Sequence, residues 1–354
     1  MQHHKRDVFM SNNKEKILVA MSGGVDSSVA AVLLLEQGYE VVGAFMKNWS
    51  GCDWEEDKRD ALRVAAKLGI ELHVYDFEKE YRERVYEYMI AEYDAGRTPN
   101  PDVMCNSEVK FDLLMKVADE LGCSKLATGH YARVVVEADG RARLLKGVDG
   151  NKDQSYFLCR LGQDELVRSM FPVGELEKPE VRKIAEKHEL VTADKKDSQG
   201  LCFIGPVDLP TFLKERIKPM KGKIVTTEGE VVGEHDGVQY YTIGQRHGLG
   251  VGGRDPFYVV ERKLDTNELV VGHEDDPALY SNVLQATELH WVSGDEPKIP
   301  CKFDAKIRYR QEDQRCKLSD GGYVKFELDQ RAVAPGQFVV FYDGDELIGS
   351  GVIK

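Results

Sequence analysis

The stretch VAMSGGVDSSVAAVLLLEQGYEVV, residues Val19–Val42, decides the fold of this chain. The apolar run from Ile17 to Met21 is typical of a buried strand, and the serines and glycines that follow it predict a tight loop. Apolar residues then recur at helical spacing. This predicts a helix with Asp26 or Ser27 as its N-cap and with Gly38 as its left-handed terminator.

A second strand is predicted from Glu40 to Met46. A strand, a glycine-rich loop, a helix and a parallel strand together direct backbone N–H groups and the positive end of a helix dipole at one point, which suits a phosphate. The loop has neither the lysine of the G-x-x-x-x-G-K-[ST] motif nor the spacing of G-x-G-x-x-G. Instead SGGVDSS, residues Ser22–Ser28, resembles the pyrophosphate-loop signature of the ATP pyrophosphatases. An ordinary serine and glycine turn is the alternative.

Length and composition bound the class of protein. With 354 residues, 42% of them hydrophobic and 31% charged, the chain has the balance of a soluble protein of two or three domains. No stretch approaches the roughly 20 apolar residues of a membrane span, and the first residues lack the apolar core of a signal peptide. We therefore expect a cytoplasmic protein without membrane contact, with residues 1–15 as a loose extension.

The cysteine pattern and the net charge further limit the possible classes of protein. Seven cysteines without a C-x-x-C pair argue against a disulfide scaffold, and no zinc site or iron–sulfur cluster is expected. The net charge of -13 argues against nucleic acid, but two segments are locally basic, Thr211–Lys223 and Lys302–Lys317. Each segment is either a solvated face or an RNA contact.

The pattern of elements divides the chain into three parts. From residue 16 to about residue 210, strands alternate with helices, which predicts an α/β domain with a doubly wound parallel sheet and with ligands at the carboxyl ends of its strands. Residues 211–285 contain short β segments split by glycines and predict a small β-rich domain. Residues 286–354 alternate apolar and polar positions around Asp-Gly turns, as a small antiparallel β-barrel would.

Cys105 is one of two cysteines with a reactive setting. Pro99 and Pro101 predict a stiff loop before it, and a helix is expected to begin near Asn106 or Ser107. A thiol at a helix N-terminus has its thiolate stabilised by the dipole. Asp102, three residues earlier, could exchange a proton with a reacting group.

Cys202 is the second, because it lies between glycines in DSQGLCFIG, a segment too polar on one side for a core strand. A small buried apolar residue is the usual role of a cysteine. We assign that role to four others and leave Cys52 ambiguous; the four are Cys123, Cys159, Cys301 and Cys316.

Eight ordered segments now identify a family resemblance. They are SGGVDSS, FMKNW, NPDVMCN, TGHYA, KDQSYFL, DSQGLCF, YTIGQRHGLG and APGQ. With these in this order, the chain resembles the bacterial tRNA-specific 2-thiouridylases over roughly Lys14 to Lys354. The stretch after Trp49 is where the chain departs most visibly from the family pattern, and this difference puts no catalytic residue in doubt.

The resemblance implies conversion of the wobble uridine of tRNA to 2-thiouridine with ATP, Mg²⁺ and a persulfide sulfur. The C2 oxygen of uracil is a very poor leaving group, so it must first become an ester of AMP. The resemblance makes Asp26 the candidate magnesium ligand. The ATP-binding positions that it implies are Ala20, Met21, Ser22, Gly23, Gly24, Val25, Asp26, Ser27, Ser28, Met46 and Gly129.

In the family pattern Cys202 carries the persulfide and Cys105 is the partner thiol, while Asp102 is the general acid or base. The two cysteines end as a disulfide that a cellular reductant opens. Whether hydrosulfide is released or sulfur passes directly remains open at this point.

The implied partners are tRNA, through the anticodon stem-loops of the tRNAs for Glu, Gln and Lys, and a sulfur donor, either a cysteine desulfurase or a relay protein. For His130 the alternative is a structural histidine, and for the triplet Lys152-Asp153-Gln154 it is a charged turn. The tRNA-binding positions that the resemblance implies are Asn100, Pro101, Asp102, His130, Lys152, Asp153, Gln154, Arg308, Tyr309 and Gln337.

Two other classes of function compete with this interpretation. A ligase or amidotransferase that adenylates a small molecule would need an amino-acid pocket or an ammonia source, and no glutaminase-type segment is visible. An RNA-binding module without catalysis would explain the barrel and the basic segments but not the nucleotide loop.

Overall fold

The computed structural model describes residues 14–51, 54–197, 209–253 and 255–354. Its strands are β1 Lys16–Ala20, β2 Glu40–Lys47, β3 Glu71–Asp76, β4 Lys125–Ala127, β5 Ala132–Val136, β6 Ala142–Lys146, β7 Ser169–Met170, β8 Gly222–Thr226, β9 Val231–His235, β10 Tyr258–Lys263, β11 Glu268–Gly272, β12 Tyr280–Trp291, β13 Cys301–Lys306, β14 Gln314–Ser319, β15 Tyr323–Arg331, β16 Phe338–Asp343 and β17 Glu346–Ile353.

The α-helices are α1 Val25–Glu36, α2 Trp54–Leu68, α3 Glu78–Tyr81, α4 Glu87–Asp94, α5 Pro101–Met104, α6 Asp112–Glu120, α7 Gln163–Leu166, α8 Lys178–Lys187 and α9 Leu209–Lys214. Two π-helical turns, Arg82–Tyr86 and Cys105–Phe111, join α3 to α4 and α5 to α6. Single turns of 3-10 helix are Ser155–Leu158, Val238–Tyr240, Pro277–Leu279 and Asp320–Gly322.

The first part of the chain forms a parallel five-stranded sheet in the order β3-β2-β1-β4-β7. Strand β1 lies in the middle and pairs with β2 and β4, for example Ile17 with Val41 and with Lys125. Its residues Ile17, Leu18 and Val19 are fully buried because helices cover both faces, as in other parallel sheets. This confirms the predicted doubly wound parallel sheet.

The middle part is a small four-stranded sheet in the order β10-β11-β8-β9. A separate core that includes Ile224, Leu269 and Val271 lies beneath it. The prediction of a β-rich central segment is therefore confirmed.

The last part is a closed antiparallel barrel. Six strands follow the order β12-β15-β14-β13-β16-β17, and pairing of β12 with β17 closes the ring. The sequence predicted this barrel. It did not predict that the hairpin β5-β6, from the first part of the chain, extends the same sheet through the pairing of Leu144 with Leu347.

One hydrophobic core joins the parallel sheet to the barrel. It contains Leu18 and Leu114 from the first part together with Phe338 and Tyr342 from β16. The Tyr156 hydroxyl, which is buried, donates a hydrogen bond of 2.9 Å to the Phe338 carbonyl. The barrel is therefore fixed to the parallel-sheet part by packing rather than by a linker alone.

None of the helices that the structure describes is long and apolar enough to cross a membrane.

The Tyr156 contact can be tested by removing one oxygen atom. We expect Tyr156→Phe to lower the free energy of unfolding by about 1 kcal/mol, because the buried hydrogen bond to the Phe338 carbonyl is lost. Urea denaturation measures the change. The control is Tyr323→Phe in the barrel, where the side chain is 52% exposed and a change within about 0.5 kcal/mol is expected. Equal effects of the two substitutions would contradict this role for Tyr156.

Candidate active site

The N-terminus of helix α1 has no side-chain cap. The N-cap is Gly24, and the helix begins at Val25. The predicted N-cap, Asp26 or Ser27, is therefore wrong, since both residues lie in the first turn. The Ser27 hydroxyl instead accepts a hydrogen bond of 3.1 Å from the N–H of Ser22. The helix thus presents its first N–H groups and its positive dipole end to an anion, and an anion would replace the missing cap.

Two glycines allow the close packing around this loop. Gly23 has a φ of 77°, and a Cβ there would lie 2.2 Å from the Asp57 carbonyl oxygen. A Cβ at Gly129 would lie 2.6 Å from the backbone nitrogen of Ser27. The start of α1 is therefore enclosed by α2 on one side and by the segment after β4 on the other.

Three predicted nucleotide contacts lie at the carboxyl ends of neighbouring strands. Ala20 ends β1, Met46 is next to the end of β2, and Gly129 follows β4. Because these strands are parallel and adjacent, their carboxyl ends meet at one edge of the sheet. The remaining predicted positions, 21–28, form the loop and the first turn of α1 at the same edge.

Asp26 is bound by two residues that the sequence patterns did not single out. The Lys178 ammonium donates to both carboxylate oxygens, at 2.7 and 2.8 Å. The Tyr131 hydroxyl donates to Oδ1 at 2.7 Å. Burial and the Asp26 charge raise the pKa of this hydroxyl, so it remains a donor. The loop has no lysine of its own, but Lys178, more than a hundred residues further along the chain, binds its aspartate.

Asp197 extends this ion-pair network. It accepts from Lys178 at 2.8 Å, from Lys152 at 2.5 Å and from Arg182 at 3.0 Å. Burial raises the pKa of Asp197, but the hydrogen bonds from Lys152 and Lys178 outweigh it and lower the pKa to about 2. Asp197 is thus ionised at every physiological pH, five residues before Cys202 in the sequence.

Cys105 lies inside a helix rather than at the start of one. Helix α5 begins at Pro101, because proline is tolerated in the first turn, and Asn100 is its N-cap, accepting a 3.3 Å hydrogen bond from the N–H of Val103. The prediction of a helix beginning near Asn106, with the thiol at its N-terminus, is therefore wrong. Cys105 opens the π-helical turn, a distortion often found at functional sites, and its side chain is buried.

Asp102 and His130 are linked through Lys110. The Lys110 ammonium donates to Asn106 Oδ1 at 2.8 Å and lies 3.5 Å from His130 Nε2. Burial raises the pKa of Asp102, and the Lys110 charge offsets part of the increase. Burial and the same charge hold the pKa of His130 well below its ordinary value, so this imidazole is neutral. Thr128 Oγ1 is 2.7 Å from His130 Nδ1.

The loop before α5 is attached to the barrel. The Gln337 amide donates to the carbonyls of Thr98 and Pro99, both at 2.9 Å, and its oxygen accepts from Asn100 at 3.3 Å. Two predicted tRNA contacts, Asn100 and Gln337, are thereby brought together although they lie far apart in sequence.

The Lys152-Asp153-Gln154 turn is tied into the fold. Asp153 accepts hydrogen bonds of 3.1 Å from the N–H of Gly147 and from the N–H of Ser155. The Gln154 amide oxygen accepts from the Tyr131 N–H at 3.1 Å. These contacts explain Asp153 and Gln154 as parts of a folded turn, and contact of the triplet with tRNA stays a prediction.

Arg308 and Tyr309 lie on the barrel. The Arg308 guanidinium donates to the Arg331 carbonyl, and burial together with the Arg331 charge lowers its pKa. The Tyr309 ring contacts Phe157 with ring centroids 4.5 Å apart. The Phe157 carbonyl in turn accepts a 3.1 Å hydrogen bond from Asn106, beside Cys105. Tyr309 is therefore two contacts away from the helix of Cys105.

The remaining cysteines differ in setting. Burial raises the pKa of the Cys123 and Cys301 thiols and raises the pKa of the Cys159 and Cys316 thiols to about 12. Cys52 and Cys202 lie outside the described residues. In the part of the chain that the structure describes, no three His, Cys, Asp or Glu side chains are grouped closely enough to hold a metal ion.

Known proteins resemble this chain over almost its whole length, and three family descriptions match its three parts in order. The family description "tRNA methyl transferase HUP domain" matches residues 15–206, "tRNA methyl transferase PRC-barrel domain" matches residues 210–273, and "Aminomethyltransferase beta-barrel domain" matches residues 281–353. The "tRNA-specific 2-thiouridylase MnmA" of Pseudomonas fluorescens (strain Pf0-1) is 53% identical, over 97% of this chain and 95% of its own. The proteins of the same name from Stutzerimonas stutzeri and Pseudomonas aeruginosa (strain UCBPP-PA14) are each 52% identical, over 96% of this chain and 95% of theirs.

An uncapped helix start behind a serine and glycine loop, at the carboxyl edge of a parallel sheet, suits a phosphate. Together with the SGGVDSS motif of Ser22–Ser28, it identifies the class of pyrophosphate-loop proteins that use ATP. Within that class, identities of 52–53% over almost the whole chain show that it belongs to the tRNA-specific 2-thiouridylase family. The resemblance stated from the sequence is confirmed.

The packing at Gly129 predicts an effect on nucleotide binding. We expect Gly129→Ala to weaken ATP binding about tenfold or more, since the added Cβ would displace the backbone of Ser27 at the start of α1. Isothermal titration calorimetry measures the dissociation constant. Gly252→Ala is the matched control, because a Cβ at Gly252 meets nothing within 4 Å. Unchanged ATP affinity in the Gly129 variant would contradict the prediction.

The raised pKa of Asp102 predicts a stability effect with a definite sign. We expect Asp102→Asn to increase the free energy of unfolding near pH 7, because the neutral amide avoids the burial penalty of the carboxylate. The penalty is fully present above the folded-state pKa of Asp102. The gain should therefore shrink as the pH falls through that pKa toward the ordinary value of 3.8. Urea denaturation at several pH values measures the trend.

Asp112 provides the opposite control on the same helical segment. Burial raises the pKa of Asp112, but hydrogen bonds from Lys116 and Arg84 outweigh it and lower the pKa. We expect Asp112→Asn to reduce stability near pH 7, with the loss disappearing at low pH. Changes of the same sign in both variants would rule out this account of the two carboxyl groups.

Proposed function

We propose that this chain is a tRNA sulfurtransferase that converts the wobble uridine of tRNA to 2-thiouridine and releases AMP and pyrophosphate from ATP. One observation carries the proposal. Gly129 lies against the start of α1. The next residue, His130, contacts Lys110, which belongs to the continuous helical segment 101–120 that carries Cys105. Two consecutive residues thus link the proposed phosphate loop to the helical segment that carries Cys105, which supports a reaction that activates with ATP and then substitutes with sulfur.

The first step forms the adenylated base. The C2 oxygen of uracil attacks the α-phosphorus of ATP, and pyrophosphate leaves. We propose that the loop and first turn of α1 hold the phosphates, with Met46 and Gly129 beside the adenosine. The N–H groups of the uncapped helix start stabilise the negative charge on the phosphates as the bond breaks. Burial raises the pKa of Asp102, and we propose that this carboxyl group is the general acid or base that exchanges a proton with the uracil.

Mg²⁺ accompanies ATP in this proposal. Magnesium commonly keeps several waters and takes one or two carboxylates together with substrate phosphates. Asp26 alone among the loop residues offers a carboxylate, and that carboxylate lies at the helix start, so one protein ligand fits the requirement. When bound, the ion neutralises charge on the phosphate oxygens.

The second step transfers sulfur. A persulfide on Cys202, loaded by a sulfur donor protein, supplies the sulfur. If the Cys105 thiolate attacks the inner sulfur of Cys202, hydrosulfide leaves and a Cys105–Cys202 disulfide forms. Hydrosulfide then displaces AMP at C2. In the direct route the persulfide itself attacks C2, and Cys105 afterwards cleaves the sulfur–sulfur bond to free the thiocarbonyl. In both routes a dithiol reductant reopens the disulfide.

The RNA is held between the catalytic part and the barrel in this proposal. A wobble base is single-stranded in its loop, so turning it outward costs little. Asn100 and Gln337 join the two parts, and Tyr309 stands near the Cys105 helical segment. We propose contacts by these residues and by Arg308, with the tRNAs for Glu, Gln and Lys as substrates and with the cytoplasm as the site of action.

Pyrophosphate release separates this function from its rivals. With purified protein, ATP and bulk tRNA, we expect release to depend on the tRNA, and nucleoside mass spectrometry should detect 2-thiouridine once a persulfide donor is added. A small-molecule ligase would release pyrophosphate without tRNA. An RNA-binding module would release none. Either result would overturn the proposal.

The proposed roles of Cys105 and Cys202 can be tested by substitution, with Cys123, which has no proposed role in the reaction, as the control. Cys105→Ser and Cys202→Ser should each abolish thiolation, because a hydroxyl neither carries a persulfide nor attacks one. Cys123→Ser should retain it, although Cys123 is buried much as Cys105 is, at 4% and 6% exposure. The first turnover of pyrophosphate should persist in all three, since adenylation precedes sulfur transfer. Equal loss of thiolation in the three variants would indicate a folding role instead.

A further inference from the structure

Helix α8 brings a buried lysine to the nucleotide loop. Lys178 is the first residue of this helix, and its backbone N–H donates to Asp149 Oδ2 at 3.0 Å, which fixes where the helix begins. Its side chain is only 10% exposed and ends on the carboxylate of Asp26. Among the described residues, no other lysine or arginine donates a hydrogen bond to residues 21–28.

The loop itself supplies no full positive charge. Its backbone N–H groups and the helix dipole amount to about half an elementary charge at the helix start. Departure of pyrophosphate concentrates several negative charges there, and enzymes that transfer phosphoryl or nucleotidyl groups meet this charge with Lys, Arg or Mg²⁺. Lys178 stands where such a cation is needed.

Lys178 can also change partners without leaving a carboxylate alone. Asp197 keeps Lys152 at 2.5 Å and Arg182 at 3.0 Å. Asp26 keeps the Tyr131 hydroxyl at 2.7 Å. Both carboxylates therefore keep a hydrogen-bond donor when Lys178 turns away, and Lys178 is the cation that they share.

Resting on the proposed ATP chemistry, we propose that Lys178 binds the β- and γ-phosphates of ATP and then the pyrophosphate product. It takes the place of the lysine that a G-x-x-x-x-G-K-[ST] loop carries within its own motif. In the absence of nucleotide it pairs with Asp26 and Asp197, and the phosphates take over at least one of these hydrogen bonds.

The test uses binding of three probes, without tRNA or catalysis. Calorimetry compares inorganic pyrophosphate, the non-hydrolysable α,β-methylene analogue of ATP, and AMP. We expect Lys178→Met to weaken the first two about tenfold or more and AMP by less than about twofold, because AMP lacks the phosphates that Lys178 binds. Lys178→Arg, which keeps the charge, should recover part of the pyrophosphate affinity.

Lys183→Met is the matched control, because Lys183 is exposed on the same helix and should leave all three affinities unchanged. A similar loss for AMP and pyrophosphate in Lys178→Met would mean that the lysine only supports the fold, and unchanged affinities would overturn the proposal outright.

Chemical modification of the wild-type protein gives a second measurement that does not depend on the variant folding. Acetylation of Lys178 by acetic anhydride, followed by mass spectrometry, should be slowed by pyrophosphate and not by AMP, with Lys183 as the internal reference. Equal acetylation with and without pyrophosphate would contradict the proposal. These outcomes concern pyrophosphate alone, so they are independent of whether tRNA is the acceptor.

Discussion

The start of helix α1, which no side chain caps, is the constraint on which the rest of the structure depends. Gly24 offers no cap, and the Ser27 hydroxyl closes the loop from within. Gly23 and Gly129 let α2 and the segment after β4 approach to distances that no Cβ allows. The first N–H groups of the helix are thus held between these two segments, and an anion is their natural partner.

The segment after β4 connects the start of α1 with the helical segment of Cys105. The residue after Gly129 is His130, which contacts Lys110, and Lys110 tunes Asp102 by its charge. The barrel joins through a shared core and through Gln337. A barrel fixed by packing, rather than by a flexible linker, keeps a constant position relative to the helical segment of Cys105.

The two basic segments differ in what they lie beside rather than in how far they are neutralised. In Thr211–Lys223, Lys214 pairs with Asp236 and Arg216 pairs with Glu87, and in Lys302–Lys317 two cations, Lys306 and Arg315, are paired as well. The second basic segment contains Arg308 and Tyr309 near the Cys105 helical segment. The net charge of -13 therefore describes the whole surface and not the region beside the site.

The parallel sheet, the small β-rich middle and the closing barrel could be predicted from the sequence, because hydrophobic periodicity and turn residues are local signals. The phosphate loop and the two reactive cysteine segments were also predicted from the sequence and stay predictions. The cap of α1 and the start of the Cys105 helix were assigned wrongly, since capping depends on where the chain turns, and Pro101 opens its helix rather than preceding it. Only the tertiary structure brought Lys178 to Asp26, Lys110 to His130 and Gln337 to Asn100. Contacts between residues distant in sequence depend on how helices pack across the sheet, and no spacing within a motif encodes that.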